Sequence, residues 1–185
     1  MLRSKFVRSC LRVILSIFFE NRYLRGRYFD KSMGGFIWGF RGILQQKILG
    51  FNRHVPWPCH HSIMINKPEN LIFHPDNIDN FQSGGIYFQN PTATITLGKG
   101  TYIAPNTGFI TRNHDPNNLD IHLDAIPIVI GENCWVGMNA VILPGVNLGD
   151  RTIVGAGSVV TKSFPNGNVV IAGSPAKIIR TSSEC

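Results

Sequence analysis

The chain has 185 residues, 43% hydrophobic and 16% charged, which suits one globular domain with a small appendage and excludes an intrinsically disordered chain. Its four cysteines, Cys10, Cys59, Cys134 and Cys185, lack metal-ligand spacing and read most simply as thiols of a reduced, cytoplasmic protein. The net charge of +7 is unevenly placed: residues 1–53 carry eleven Lys or Arg against Glu20 and Asp30, whereas the remainder carries seven against nine acids.

Residues 1–22 predict a basic amphipathic helix, with Arg3, Lys5, Arg8 and Arg12 leading into Val13, Ile14, Leu15, Ile17, Phe18 and Phe19. The apolar run is much shorter than the roughly 20 residues of a membrane span. No small-residue cleavage site follows in Glu20–Arg25, which argues against a secretory signal. Two readings stand open: a helix packed on the chain's own assembly or on the first coil of the region that follows, or a helix lying peripherally on the inner face of an anionic membrane. Residues 23–60 continue basic and aromatic, and Gly34, Gly35, Gly39 and Gly42 are expected to interrupt any long helix, leaving a short one over 43–49. Basic residues among aromatics can bind nucleic acid, but no nucleic-acid motif is present and none is expected as a partner.

Over residues 61–96 the apolar positions follow no steady phase, and no register is assigned. The phase settles at Leu97, Ile103 and Phe109, and from Ile130 every sixth residue is aliphatic: Ile130, Val136, Ile142, Leu148, Val154 and Val160. Gly131, Gly137, Gly149 and Gly155 follow four of the six. A period of six is neither that of a helix nor that of a single strand. It predicts an all-β solenoid, in which short parallel strands point an aliphatic side chain inward and a small residue turns each corner. Phe109 and Ile130 are out of phase, so residues 112–127 are read as an inserted loop carrying His114, Asp115, Asp120, His122 and Asp124. The predicted organisation is a basic N-terminal segment over 1–60, a solenoid over 61–180 and a frayed tail over 181–185.

The residues that carry a resemblance are Ile95-Thr96-Leu97-Gly98, Ile103-Ala104-Pro105-Asn106, His114, Pro127-Ile128-Val129-Ile130-Gly131, Cys134-Trp135-Val136-Gly137, Gly155-Ala156-Gly157-Ser158 and Ala172-Gly173-Ser174-Pro175-Ala176-Lys177. Over roughly residues 86–180 the chain resembles the hexapeptide-repeat acyltransferases, closest to the galactoside and maltose type and to those that acetylate bacterial surface polysaccharides. The resemblance implies a left-handed parallel β-helix, a homotrimer with active sites at subunit boundaries, and acetyl-CoA as co-substrate without a metal. It also implies an O-acetyltransferase acting on a saccharide hydroxyl, the acceptor being free, lipid-linked or nucleotide-linked.

Such a reaction needs a base, and histidine is suited to that work near neutral pH. On the family pattern His114 is the catalytic base, oriented by a carboxylate or by a backbone carbonyl. Asn90, Trp135 and His122 are candidates for contact with the acceptor. Ala156, Thr161, Lys162, Lys177 and Arg180 sit where the family contacts coenzyme A, and the three cations suit its phosphates. Cys134 is expected to be structural, since the family attack is direct. Met138 stands where relatives can have a small polar residue. The rival readings are transfer of another acyl group or to an amine, such as an aminosugar or an antibiotic, a non-enzymatic scaffold, and a γ-type carbonic anhydrase. The last needs three histidines converging from adjacent coils, a spacing absent here.

Overall fold

A computed structural model describes residues 2–181, which form two compact units. The first unit comprises Met1–Ile63 together with Pro75–Gly84, and the second Met64–His74 with Gly85–Cys185. The expected frayed tail lies outside the described residues except for Thr181, which closes the last strand.

In the first unit, helix α1 (Leu2–Ser16) packs on helix α2 (Gly34–Gly42), which runs on into a wider π-type coil over Ile43–Ile48. The glycines expected to interrupt a helix therefore lie inside one. Spacings of four and three put Gly35, Gly39 and Gly42 on one side of α2. A Cβ on Gly35 would meet the Phe29 ring at 2.7 Å, one on Gly39 would meet Leu15 at 2.5 Å, and one on Gly42 would meet Phe19 at 2.9 Å. Close packing against buried Leu15, Phe19 and Phe29 outweighs the poor helix propensity of glycine. The fully buried Gln46 braces the chain below, donating to the Trp57 carbonyl and accepting from the Cys59 amide. Beside it the Cys59 thiol is pushed up to about 12, chiefly by burial.

In the second unit the chain visits three parallel sheets in turn. The first sheet holds Met64–Ile65, Tyr87–Gln89, Gly108–Ile110, Val141–Ile142 and Val159–Val160. The second holds Leu71–Phe73, Ile95–Leu97, Ile128–Ile130 and Asn147–Leu148. The third holds Tyr102–Ile103, Trp135–Val136, Ile153–Val154, Val169–Gly173 and, antiparallel at its edge, Ala176–Thr181. Ile130 pairs with Leu148, Val136 with Val154 and Ile142 with Val160, each pair eighteen residues apart. Eighteen is three units of six, so each sequence period is one side of a three-sided coil and three periods make one turn. Its interior is the set of aliphatic columns that the period selects, joined by the stacked rings of Phe88 and Phe109 at 5.2 Å.

One corner is built from glycine. A Cβ on Gly98 would lie 2.3 Å from the Gly131 backbone, one on Gly131 2.7 Å from the Asp150 amide nitrogen, and one on Gly149 2.2 Å from the Pro165 carbonyl. Each turn rests on the backbone of the next there, and only glycine leaves room. Where the chain bends with positive φ, Asn106, Asn133, Asn139 and Asn168 take the left-handed conformation that asparagine tolerates. The early coils had no legible phase for a structural reason. Leu71 pairs with Ile95 twenty-four residues on, because Pro75–Gly84 leaves the coil for the first unit.

Candidate active site

The insertion leaves the coil where the chain passes from the first sheet to the second. Leu97 pairs with Ile130 thirty-three residues away instead of eighteen. The excess forms a hairpin of His114–Asp115 and Asn118–His122, turned by the Asp115 carboxylate accepting from the Asn117 amide at 2.8 Å. Its base is tied twice. The Ile126 amide donates to the Thr111 carbonyl at 2.8 Å, and Ile126 rests near the Gly145 corner of the next turn. The Gln89 side chain accepts from the Thr111 and Arg112 amides at 3.0 and 2.9 Å and donates to the Arg112 carbonyl at 3.1 Å. Sequence reasoning passed over Gln89: a glutamine on a short strand carries no signal until its partners are known.

His114 is exposed at the start of this hairpin. Its Nδ1 lies 2.6 Å from the Leu119 carbonyl oxygen. A carbonyl can only accept, so Nδ1 carries the proton and the lone pair of the neutral ring is left on Nε2. The orienting group is thus a backbone carbonyl, and none of the three loop carboxylates is needed for it. His122 pairs across the hairpin with His114, their ring centroids 4.2 Å apart. The His122 pKa is lowered below the ordinary histidine value, first by partial loss of hydration and then by the positive charges of Arg112 and His114.

The other singled-out residues are spread over the second unit. Asn90 is fully buried, its amide donating to the Lys67 carbonyl at 2.8 Å and accepting from the Lys67 amide at 3.1 Å. It braces the turn at Lys67. Trp135 is exposed on the third sheet, in register between Tyr102 and Ile153. Ala156 and Met138 are exposed at the corners between the third and first sheets. Thr161 and Lys162 are exposed at the corner from which, two turns earlier, the hairpin is thrown. Lys177 and Arg180 stand on the antiparallel edge strand opposite Ala172 and Val170. One chain therefore carries His114 with Thr161 and Lys162 at one corner, and Trp135 and Ala156 on another side. Cys134 is buried under carbonyls of Glu132 and Gly149, and burial raises its pKa. Among the described residues no three His, Cys, Asp or Glu side chains converge as a metal cluster would.

The family described as bacterial transferase hexapeptide (six repeats) matches residues 127–162. A candidate lipopolysaccharide biosynthesis O-acetyl transferase of Escherichia coli is 33% identical over 173 residues, covering 79% of this chain and 88% of that protein. Galactoside O-acetyltransferase of Escherichia coli is 42% identical over 90 residues, 47% of this chain and 44% of the relative. A solved galactoside acetyltransferase in complex with coenzyme A superposes with a TM-score of 0.51 at 33% identity, covering 65% of this chain and 62% of that one. The chain belongs to the hexapeptide-repeat acyltransferase family. It spans about half the length of several curated relatives it matches.

Proposed function

We propose that the chain is an acetyl-CoA-dependent O-acetyltransferase acting on a saccharide hydroxyl in surface-polysaccharide assembly, with His114 as general base. The observation that carries the reading is the anchored Nδ1 of His114, which presents a basic Nε2 on an exposed hairpin. The similarity to sugar acetyltransferases, one solved with coenzyme A, supports it. Acetyl-CoA would supply the acetyl group as a thioester. Nε2 takes the proton of the acceptor hydroxyl as its oxygen forms a bond to the acyl carbon. The same nitrogen returns the proton to the thiol sulfur when the carbon–sulfur bond breaks. The open corner at Ala156 and Gly157, where a Cβ on Gly157 would meet nothing within 4 Å, has room for an extended thiol-bearing arm. Thr161, Lys162, Lys177 and Arg180 would hold the donor, the three cations suiting its phosphates. Trp135 and His122 would face the acceptor, and Asn90 would act only by bracing.

In this reading the coil is left-handed and residues 61–180 act as the transferase unit of a homotrimer. The separation of His114 from Trp135 and Ala156 within one chain favours a site completed by a second copy. The test is coenzyme A release from acetyl-CoA with a panel of saccharide, aminosugar and nucleotide-sugar acceptors. Acceptor-dependent release should fall at least about 10²-fold in His114→Ala, the scale of a lost general base. Release independent of any acceptor, or undiminished in His114→Ala, would overturn the assignment.

A further inference from the structure

The first unit presents apolar side chains to water along two helical lines. On α1 and the turn that follows it they are Phe6, Cys10, Val13 and Ile17, spaced four, three and four, with Val7, Ile14 and Phe18 beside them. On α2 and its continuation they are Ile37, Phe40, Leu44 and Ile48, spaced three, four and four, with Met33 before and Leu49 and Phe51 after. These are not partly covered core residues. Phe6 is 70% exposed, Ile17 75%, Ile37 66% and Ile48 66%, while Leu15 and Phe19 fill the interior from the other side of α1. Such faces are larger than isolated surface apolar residues and call for a covering partner.

The charge says which partner. Residues 1–53 hold eleven Lys or Arg and two acids. Neither acid stands on the apolar lines, and both are paired, Asp30 with Arg12 at 2.6 Å and Glu20 with Arg22 at 2.6 Å. Lys5, Arg8 and Arg12 run along α1 one residue before Phe6 and Val13 and two before Cys10. Lys5 and Lys31 are exposed beside the start of each apolar line. A second copy would bring two surfaces of the same strong positive charge together, whereas an anionic bilayer offers opposite charge and an apolar boundary at once. No helix among the described residues is long and apolar enough to cross a membrane. We propose that the exposed faces of α1, α2 and the π-type coil after it form one platform that docks in the headgroup layer of an anionic lipid membrane. This inference does not depend on the assignment of acetyl transfer.

The full chain should sediment with vesicles of phosphatidylcholine and phosphatidylglycerol in equal parts, and at least about tenfold less with phosphatidylcholine alone. Rising salt should release it. The triple change Ile17→Asp, Ile37→Asp and Leu44→Asp, all at exposed positions, should weaken vesicle binding at least about tenfold while leaving the melting curve in place. Should that variant not fold, the pair Lys5→Glu and Lys31→Glu serves instead, expected to lower binding most at low salt. Failure of the wild-type chain to sediment with anionic vesicles would overturn the proposal. So would binding that neither set of substitutions alters. If the aspartates lowered the mass of the assembly by light scattering and left vesicle binding intact, the face would instead be a contact between copies, which also overturns it.

Discussion

At the scale of single residues, the proposed chemistry rests on one hydrogen bond whose direction is forced. The Leu119 carbonyl fixes the His114 tautomer, and the hairpin that brings Leu119 back is held by Gln89. The adjacent ring makes a measurable prediction. His122 is depressed by lost hydration, by Arg112 and by His114, so His114→Ala should raise its midpoint toward the ordinary histidine value in a proton NMR titration. An unmoved midpoint would mean that the two rings are uncoupled. The linkage sign follows: with the folded value below the unfolded one, the unfolded chain binds more protons in between. His122 then lowers stability as pH falls below about 6.5, and has no effect above it. The broken period marks the inserted loop in the sequence, and the family resemblance, not the period, picks His114 over His122 within it. The partner Leu119 and the clamp Gln89 could not be singled out, because a carbonyl and an amide become specific only when a fold aims them. Asn90, which the resemblance sets against the acceptor, is fully buried and bonded to the Lys67 backbone, a partner that no sequence pattern names.

At the scale of elements, the corners set the register. The Gly98, Gly131 and Gly149 column lets each turn sit on the next, and a side chain there meets backbone that cannot move aside. Gly131→Ala should therefore lower stability in chemical denaturation by about 1–3 kcal/mol, the range of overpacking. Gly108 faces only ordinary contacts at 3.8 Å, so Gly108→Ala should stay within about 0.5 kcal/mol of wild type. Equal losses would show that the corner column is not what holds the turns in place. The glycines of α2 obey the same steric rule with the opposite local result. Propensity argues against a helix over Gly34–Gly42, yet the helix forms because Leu15, Phe19 and Phe29 occupy the space that side chains would fill.

At the scale of the whole molecule, the proposed site draws on two sides of a three-sided coil, and in that reading a second chain completes it. That makes a complementation experiment decisive. His114→Ala and Ala156→Trp chains should each be inactive, while their co-expression in equal amounts should restore about a quarter of wild-type acceptor-dependent activity, the product of two halves when subunits mix at random. No recovery would mean that one chain holds the whole site. The six-residue period by itself determined the coil, its inward columns and the place of the inserted hairpin, because a period that matches the repeating unit survives in sequence as a count. Tertiary structure alone decided where the early coils resume after Pro75–Gly84, which proton His114 carries, and which apolar residues of α1 face inward. Those outcomes depend on contacts between residues far apart in the chain, and no local pattern records them.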